Sequence, residues 1–107
     1  MSASTESSQP QEHAVFLEWA DSQPPLEFIF AVEDQLRQVI NAHPGLGEVD
    51  GNEVGSGTAV IYLYGPNAET LWQAIEPTVR ALQPAPTTVI VRPGEPGTPS
   101  REIMIRT

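Results

Sequence analysis

Thr58-Ala59-Val60-Ile61-Tyr62-Leu63-Tyr64 runs straight into Gly65-Pro66-Asn67, and Ala68, Leu71, Trp72, Ile75, Val79 and Leu82 follow. The first seven residues are continuously β-branched, aromatic or aliphatic, the composition of a strand in the middle of a sheet. Gly65-Pro66 cannot continue it, and Asn67 is a good helix N-cap. The spacing i, i+3, i+4, i+7 after Asn67 then predicts an amphipathic helix. Pro77 removes one backbone donor from its interior, so a kink is expected, with the Gln73 carbonyl left to water.

The same periodicities extend outward in both directions. His13 to Trp19 alternates, with Val15, Leu17 and Trp19 on one side and Ala14, Phe16 and Glu18 on the other, and reads as the first strand. Pro24-Pro25 suits the opening turn of a helix, and Ile29, Val32, Leu36, Val39 and Ile40 carry a helical period through Leu26 to Ala42. That helix ends at His43-Pro44-Gly45. Gly47 to Val54 offers a weak strand among glycines. Thr87 to Arg92 and Arg101 to Arg106 read as two further strands, joined by the Pro- and Gly-rich loop 93–100.

The order strand, helix, strand, strand, helix, strand, strand predicts an α+β domain. Without its last strand it has the ferredoxin-like, split βαβ arrangement, an antiparallel sheet with two helices on one face. The last strand extends that sheet by a C-terminal hairpin. A chain of 107 residues accommodates one such domain. Residues 1–11 are Ser-, Thr- and Gln-rich without an apolar period, so they are expected to form a disordered tail before a single domain over 12–107.

Composition mainly excludes. Fourteen Asp and Glu stand against five Arg and no Lys, a formal net charge of −9. Such a surface repels phosphate backbones, so no nucleic-acid binding is expected. No apolar run approaches the roughly 20 residues of a membrane span, and the opening residues lack a signal-like pattern, so a cytoplasmic location is the expectation. The preference for Arg, Ala, Pro and Gly over Lys points to a GC-rich bacterial source. With no cysteine, disulfides, thiolate catalysis and Cys-based metal sites are all excluded.

No motif supplies catalysis or a metal. Asp50-Gly51-Asn52-Glu53-Val54-Gly55 begins like an EF-hand loop, but Ile61 occupies the place of the bidentate Glu and a strand follows instead of a helix. The expectation is a Gly-rich hairpin with solvated carboxylates. Gly55-Ser56-Gly57 matches neither a nucleophile elbow nor a phosphate loop. His43 falls in a last helical turn, where a cation meets the helix dipole, and His13 opens a strand. Glu27, Glu33, Asp34, Glu69 and Glu76 read as solvated helix faces, with Glu33–Arg37 and Glu76–Arg80 paired at i,i+4. No catalytic residue, metal or cofactor is therefore assigned.

The stretch from Gly47 to Gln73, carrying Val49-Asp50-Gly51 and Tyr62-Leu63-Tyr64-Gly65-Pro66, resembles small uncharacterised bacterial proteins with a ferredoxin-like α+β domain. The resemblance covers about a quarter of the chain and implies no activity. Among ferredoxin-like domains, acylphosphatases resemble one another in an Arg-bearing Gly-rich loop, which is missing here. Metal carriers use C-x-x-C. RNA-binding members need a basic, aromatic strand where this chain has Ala59.

What remains is a surface. Two helices cover one face of a sheet, and alternation puts Ile61, Leu63, Val15, Leu17, Val89, Val91, Ile103 and Ile105 beneath them. Phe16, Glu18, Tyr62, Tyr64, Ile90, Arg92, Met104 and Arg106 are left on the open face. Phe16, Tyr62, Tyr64, Arg92, Met104 and Arg106 make the candidate interaction surface, with a second copy of the chain or a foreign protein as its partner. The leading expectation is a non-enzymatic binding or protein-interaction domain. Its alternatives are a small hydrolase or isomerase using dispersed carboxylates and a histidine, and an acidic inhibitor of a basic toxin or nuclease.

Overall fold

The computed structural model describes residues 13–106, and the expected tail at 1–11 lies outside them. Five strands and two helices follow in the order β1 (His13–Trp19), α1 (Leu26–Asn41), β2 (Glu48–Gly55), β3 (Thr58–Gly65), α2 (Ala68–Arg80), β4 (Thr88–Arg92) and β5 (Arg101–Met104). They build one antiparallel sheet in the spatial order β2-β3-β1-β4-β5. The α+β class and every element read from the sequence are present. No helix among the described residues is long and apolar enough to cross a membrane.

Register explains why the alternation in the sequence works. Leu17 stands opposite both Ile61 and Val89, and Val15 opposite Leu63 and Val91, so apolar side chains from three strands share one face. All six are fully buried. Ile29, Val32, Leu36 and Ile40 from α1 and Leu71, Trp72, Ile75 and Val79 from α2 close the core over them. Burying a Val, Leu or Ile side chain contributes about 1.5–3 kcal/mol, so this layer supplies the main driving force for folding. Trp19 is also fully buried, and its indole N–H is satisfied by the Pro84 carbonyl at 3.0 Å.

Helix ends follow local chemistry. The Asn67 side chain accepts from the Thr70 N–H at 3.0 Å, and His13 Nδ1 accepts from the Ala68 N–H at 3.0 Å, so two orphan donors of α2 are capped, one of them by β1. Pro77 lies inside α2 on an exposed position. Pro25 sits at the N-cap of α1, one position before the helical turn that the sequence suggests, and its carbonyl accepts from Phe28 and Ile29. His43 donates from Nδ1 to the Val39 carbonyl at 3.0 Å, a C-terminal role in keeping with its position.

The Gly-rich segment resolves into a regular hairpin. Ser56 and Gly57 both have positive φ, 55° and 83°, the conformation of a two-residue turn whose twist matches its strands. Gly47 and Gly65 pass backbone against backbone, where a Cβ on either would strike the other segment's carbonyl. Three expectations are corrected. The last strand stops at Met104: Ile105 and Arg106 both donate their N–H to the Thr87 carbonyl, and the Arg106 side chain reaches Asp21, Ala85 and Thr87. α1 ends at Asn41, with Ala42 as its C-cap. Glu33, read as part of a solvated helix face, is buried against β2.

Candidate functional site

Strand register lays out the face that the helices leave open. One row across the sheet holds Gly51, Tyr62, Phe16, Ile90 and Glu102, and the next holds Glu53, Val60, Glu18, Thr88 and Met104. Glu48, Tyr64, Ala14 and Arg92 form a third. Each is two residues along its strand from its counterpart in the adjacent row except at β2, where a bulge between Val49 and Gly51 inserts Asp50.

The structure brings four of the six candidate residues into contact. The Phe16 ring meets Tyr62 edge-to-face with centroids 5.4 Å apart, and Tyr64 in the same way at 6.2 Å. The Arg92 guanidinium lies over the Phe16 ring, 5.8 Å from its centroid, and Arg92 Nε donates to the Gly94 carbonyl at 2.8 Å. Such aromatic and cation–π pairs each contribute about 0.5–1.5 kcal/mol, enough to fix the rings without burying them. All four are half-buried. Met104 lies on the same face but at its β5 edge, 57% exposed, with its sulfur accepting from Thr88 Oγ1 at 3.7 Å.

Arg106 stands apart from this group. Its guanidinium makes hydrogen bonds of 3.1 and 2.9 Å to both Asp21 carboxylate oxygens, and Nε donates to the Ala85 carbonyl at 2.7 Å. Thr87 Oγ1 donates to Asp21 as well. These bonds, led by that from Arg106, hold the Asp21 carboxyl below its ordinary range. Arg106 thus latches the chain just beyond β5 to the loop after β1, apart from the four candidates that cluster.

Acidic side chains flank the aromatic cluster. Glu48, Asp50 and Glu53 stand exposed along β2, Glu18 is in β1 and Glu102 in β5. Tyr62 donates its hydroxyl to Glu53, and that bond, aided by burial and nearby negative charge, pushes the Tyr62 phenol up to about 12. Glu18 has its carboxyl raised, first by burial among its neighbours and second by Glu102. Sequence reasoning placed Glu18 here but missed the β2 carboxylates, whose side of the sheet is set by the bulge.

The face is furrowed on its β2 side. A depression of about 400 Å³ is lined by Asp50, Gly51, Asn52, Glu53, Tyr62 and Tyr64. A second, of about 450 Å³, continues past Glu53 to Val54, Gly55, Ser56, Thr58 and Val60. Gly51 and Gly55 leave the furrow open, since a Cβ at either would meet nothing within 4 Å. The available signal for it was Gly51-x-Glu53-x-Gly55, two missing side chains on one side of a strand around a carboxylate.

Neither histidine lines these depressions or a smaller one at Glu18, Trp19 and Val60. Both imidazoles are engaged with backbone at helix ends. Among the described residues, no three His, Asp or Glu side chains are grouped to hold a metal ion. The arrangement can offer aromatic edges, carboxylates and a shallow furrow to another molecule. No family model matches the chain, and neither the curated proteins nor the solved structures contain a match to it.

Proposed function

We propose that this chain is a non-enzymatic protein-interaction domain that binds through the open face of its sheet. The observation that carries the reading is the Phe16–Tyr62–Tyr64 cluster with Arg92, half-exposed and mutually ordered, on a face that no element of the described structure covers. Aromatic residues already held in place lose little freedom on binding, which is why they recur at recognition surfaces. Hydrolase or isomerase chemistry has less support: the version the sequence suggests pairs a histidine with carboxylates, and His13 and His43 are engaged with backbone and line none of the depressions that hold Asp50, Glu53 or Glu18.

The strand order, with β3 between β2 and β1 and β1 between β3 and β4, supports a ferredoxin-like domain extended at one edge by β5. The Arg-only cation usage and the acidic balance fit a bacterial, cytoplasmic protein. The test compares wild type with Tyr62→Ser/Tyr64→Ser, by light scattering for self-association and by affinity capture for a foreign partner. Loss of assembly or capture with unchanged circular dichroism supports the interface. Assembly or capture identical in the two proteins refutes it.

A further inference from the structure

We infer that the furrow between β2 and the β3 tyrosines receives a cationic, Arg- or Lys-bearing segment of a partner protein; this rests on the interface reading above. The depression sets Asp50 and Glu53 on its β2 side and the Tyr62 and Tyr64 rings on its β3 side, with Gly51 between the two carboxylates, and Glu48 stands opposite Tyr64 at its end. A guanidinium there can stack on a ring and still reach a carboxylate with paired N–H donors, two interactions that favour Arg in particular. The Tyr62 hydroxyl already holds Glu53 beside the ring. Little side-chain freedom remains to be lost when a cation arrives.

Charge decides between occupants. Glu18, Glu48, Asp50, Glu53 and Glu102 share this face with Arg92, which is committed to the Phe16 ring and the Gly94 carbonyl. A second copy would set five carboxylates and a single guanidinium against the same set, between chains each carrying −9. Like charges brought together at an interface cost several kcal/mol, whereas a basic partner is steered toward the face before contact. Glu18 and Glu102, which already oppose each other, would gain from a nearby cation. Nucleic acid is repelled by the same field.

The experiment titrates a hexa-arginine peptide into the isotopically labelled full chain and follows amide shifts at low and moderate salt. Three variants accompany the wild type. Gly51→Val fills the furrow without changing charge, at a position where a new side chain meets open space. Glu53→Gln removes one charge from the wall but keeps an acceptor for Tyr62. Glu27→Gln/Glu95→Gln removes two exposed charges elsewhere.

Shifts are expected to concentrate on β2 and β3, and affinity to fall by about tenfold with Gly51→Val and with Glu53→Gln, while the distant pair has a smaller effect. Binding that follows net charge alone, or ignores Gly51→Val, overturns the inference. If hexa-arginine misses the furrow while Tyr62→Ser/Tyr64→Ser still abolishes capture, the cationic partner is wrong and the interface stands. Furrow binding with capture indifferent to the tyrosines refutes the interface as the natural docking surface.

Discussion

Asn52 on β2 donates a hydrogen bond from Nδ2 to Glu33 Oε2 on α1 at 3.0 Å, and Glu33 is only 5% exposed. Arg37 stands 4.0 Å away on the solvent side. The pair ties the edge strand of the sheet to the helix that covers it. Leaving a buried acceptor without its donor costs about 1–3 kcal/mol, whereas removing both partners costs less. Asn52→Val is therefore expected to lower the urea midpoint clearly, and Glu33→Met/Asn52→Val to recover part of the loss. A double variant weaker than the sum of its single changes would contradict the pairing.

The Asn67 cap gives a second prediction. Asn67→Ala removes the acceptor for the Thr70 N–H and should cost about 1 kcal/mol in denaturant unfolding. Asn67→Asp keeps an acceptor and adds negative charge at the positive end of α2, so it should be neutral or stabilising. Equal losses in the two variants would mean that His13, which accepts from Ala68, carries the capping and Asn67 does not.

These two contacts also show what the sequence could and could not reveal. β1, β3 and both helices were legible because burial there follows a single period, and Leu17 and Ile61 had to face inward whatever their partners. β2 was faint because its outward positions include Gly51 and Gly55 and its inward ones include Asn52, so neither face looks apolar. Glu33 has Arg37 four residues on, the mark of a solvated pair, and is buried only because β2 folds back across α1. The aromatic cluster was readable as parity but not as contact, since Phe16 and Tyr62 meet only through strand pairing. Arg106 continued the alternation on paper. Beyond Met104 the Ile105 and Arg106 N–H groups converge on the one Thr87 carbonyl, so the regular ladder ends there, and the Arg106 side chain bonds Asp21.

Acid should weaken the ties that Arg101 and Arg106 make. Arg101 holds the Glu69 carboxylate with two bonds, 2.9 and 2.6 Å, and lowers its pKa below the ordinary 4.5, while Asp21 is lowered from 3.8 chiefly by Arg106. A depressed carboxyl stabilises the fold above its unfolded pKa, and that stability is lost as pH falls through the folded one. Both pairs are exposed, so the effect is small and salt-sensitive. Arg101→Gln should lower Tm at pH 7 and lose its penalty progressively below pH 4.5. A penalty unchanged at pH 2 would show that packing of the Arg101 stem, and not its charge, joins β5 to α2.

Glu18 reverses that sign. Its carboxyl is raised above 4.5, so in the folded protein it resists ionisation, and the stability present below pH 4.5 is lost as pH rises through its folded value. At pH 7 an ionised Glu18 therefore works against the fold, first through burial and second through Glu102. Glu18→Gln should raise Tm at pH 7, and the gain should vanish below pH 4.5, where the wild-type side chain is neutral in both states. Glu102→Gln removes only the smaller cause and should gain less. If the open face takes a cationic segment, Glu18→Gln should at the same time weaken hexa-arginine binding, because the charge that strains the free protein attracts the ligand. Thermal melts at pH 3 and pH 7, paired with the peptide titration, separate the cases. A variant that gains stability at both pH values owes it to packing, and one that gains stability at pH 7 without losing affinity places the cation away from β1.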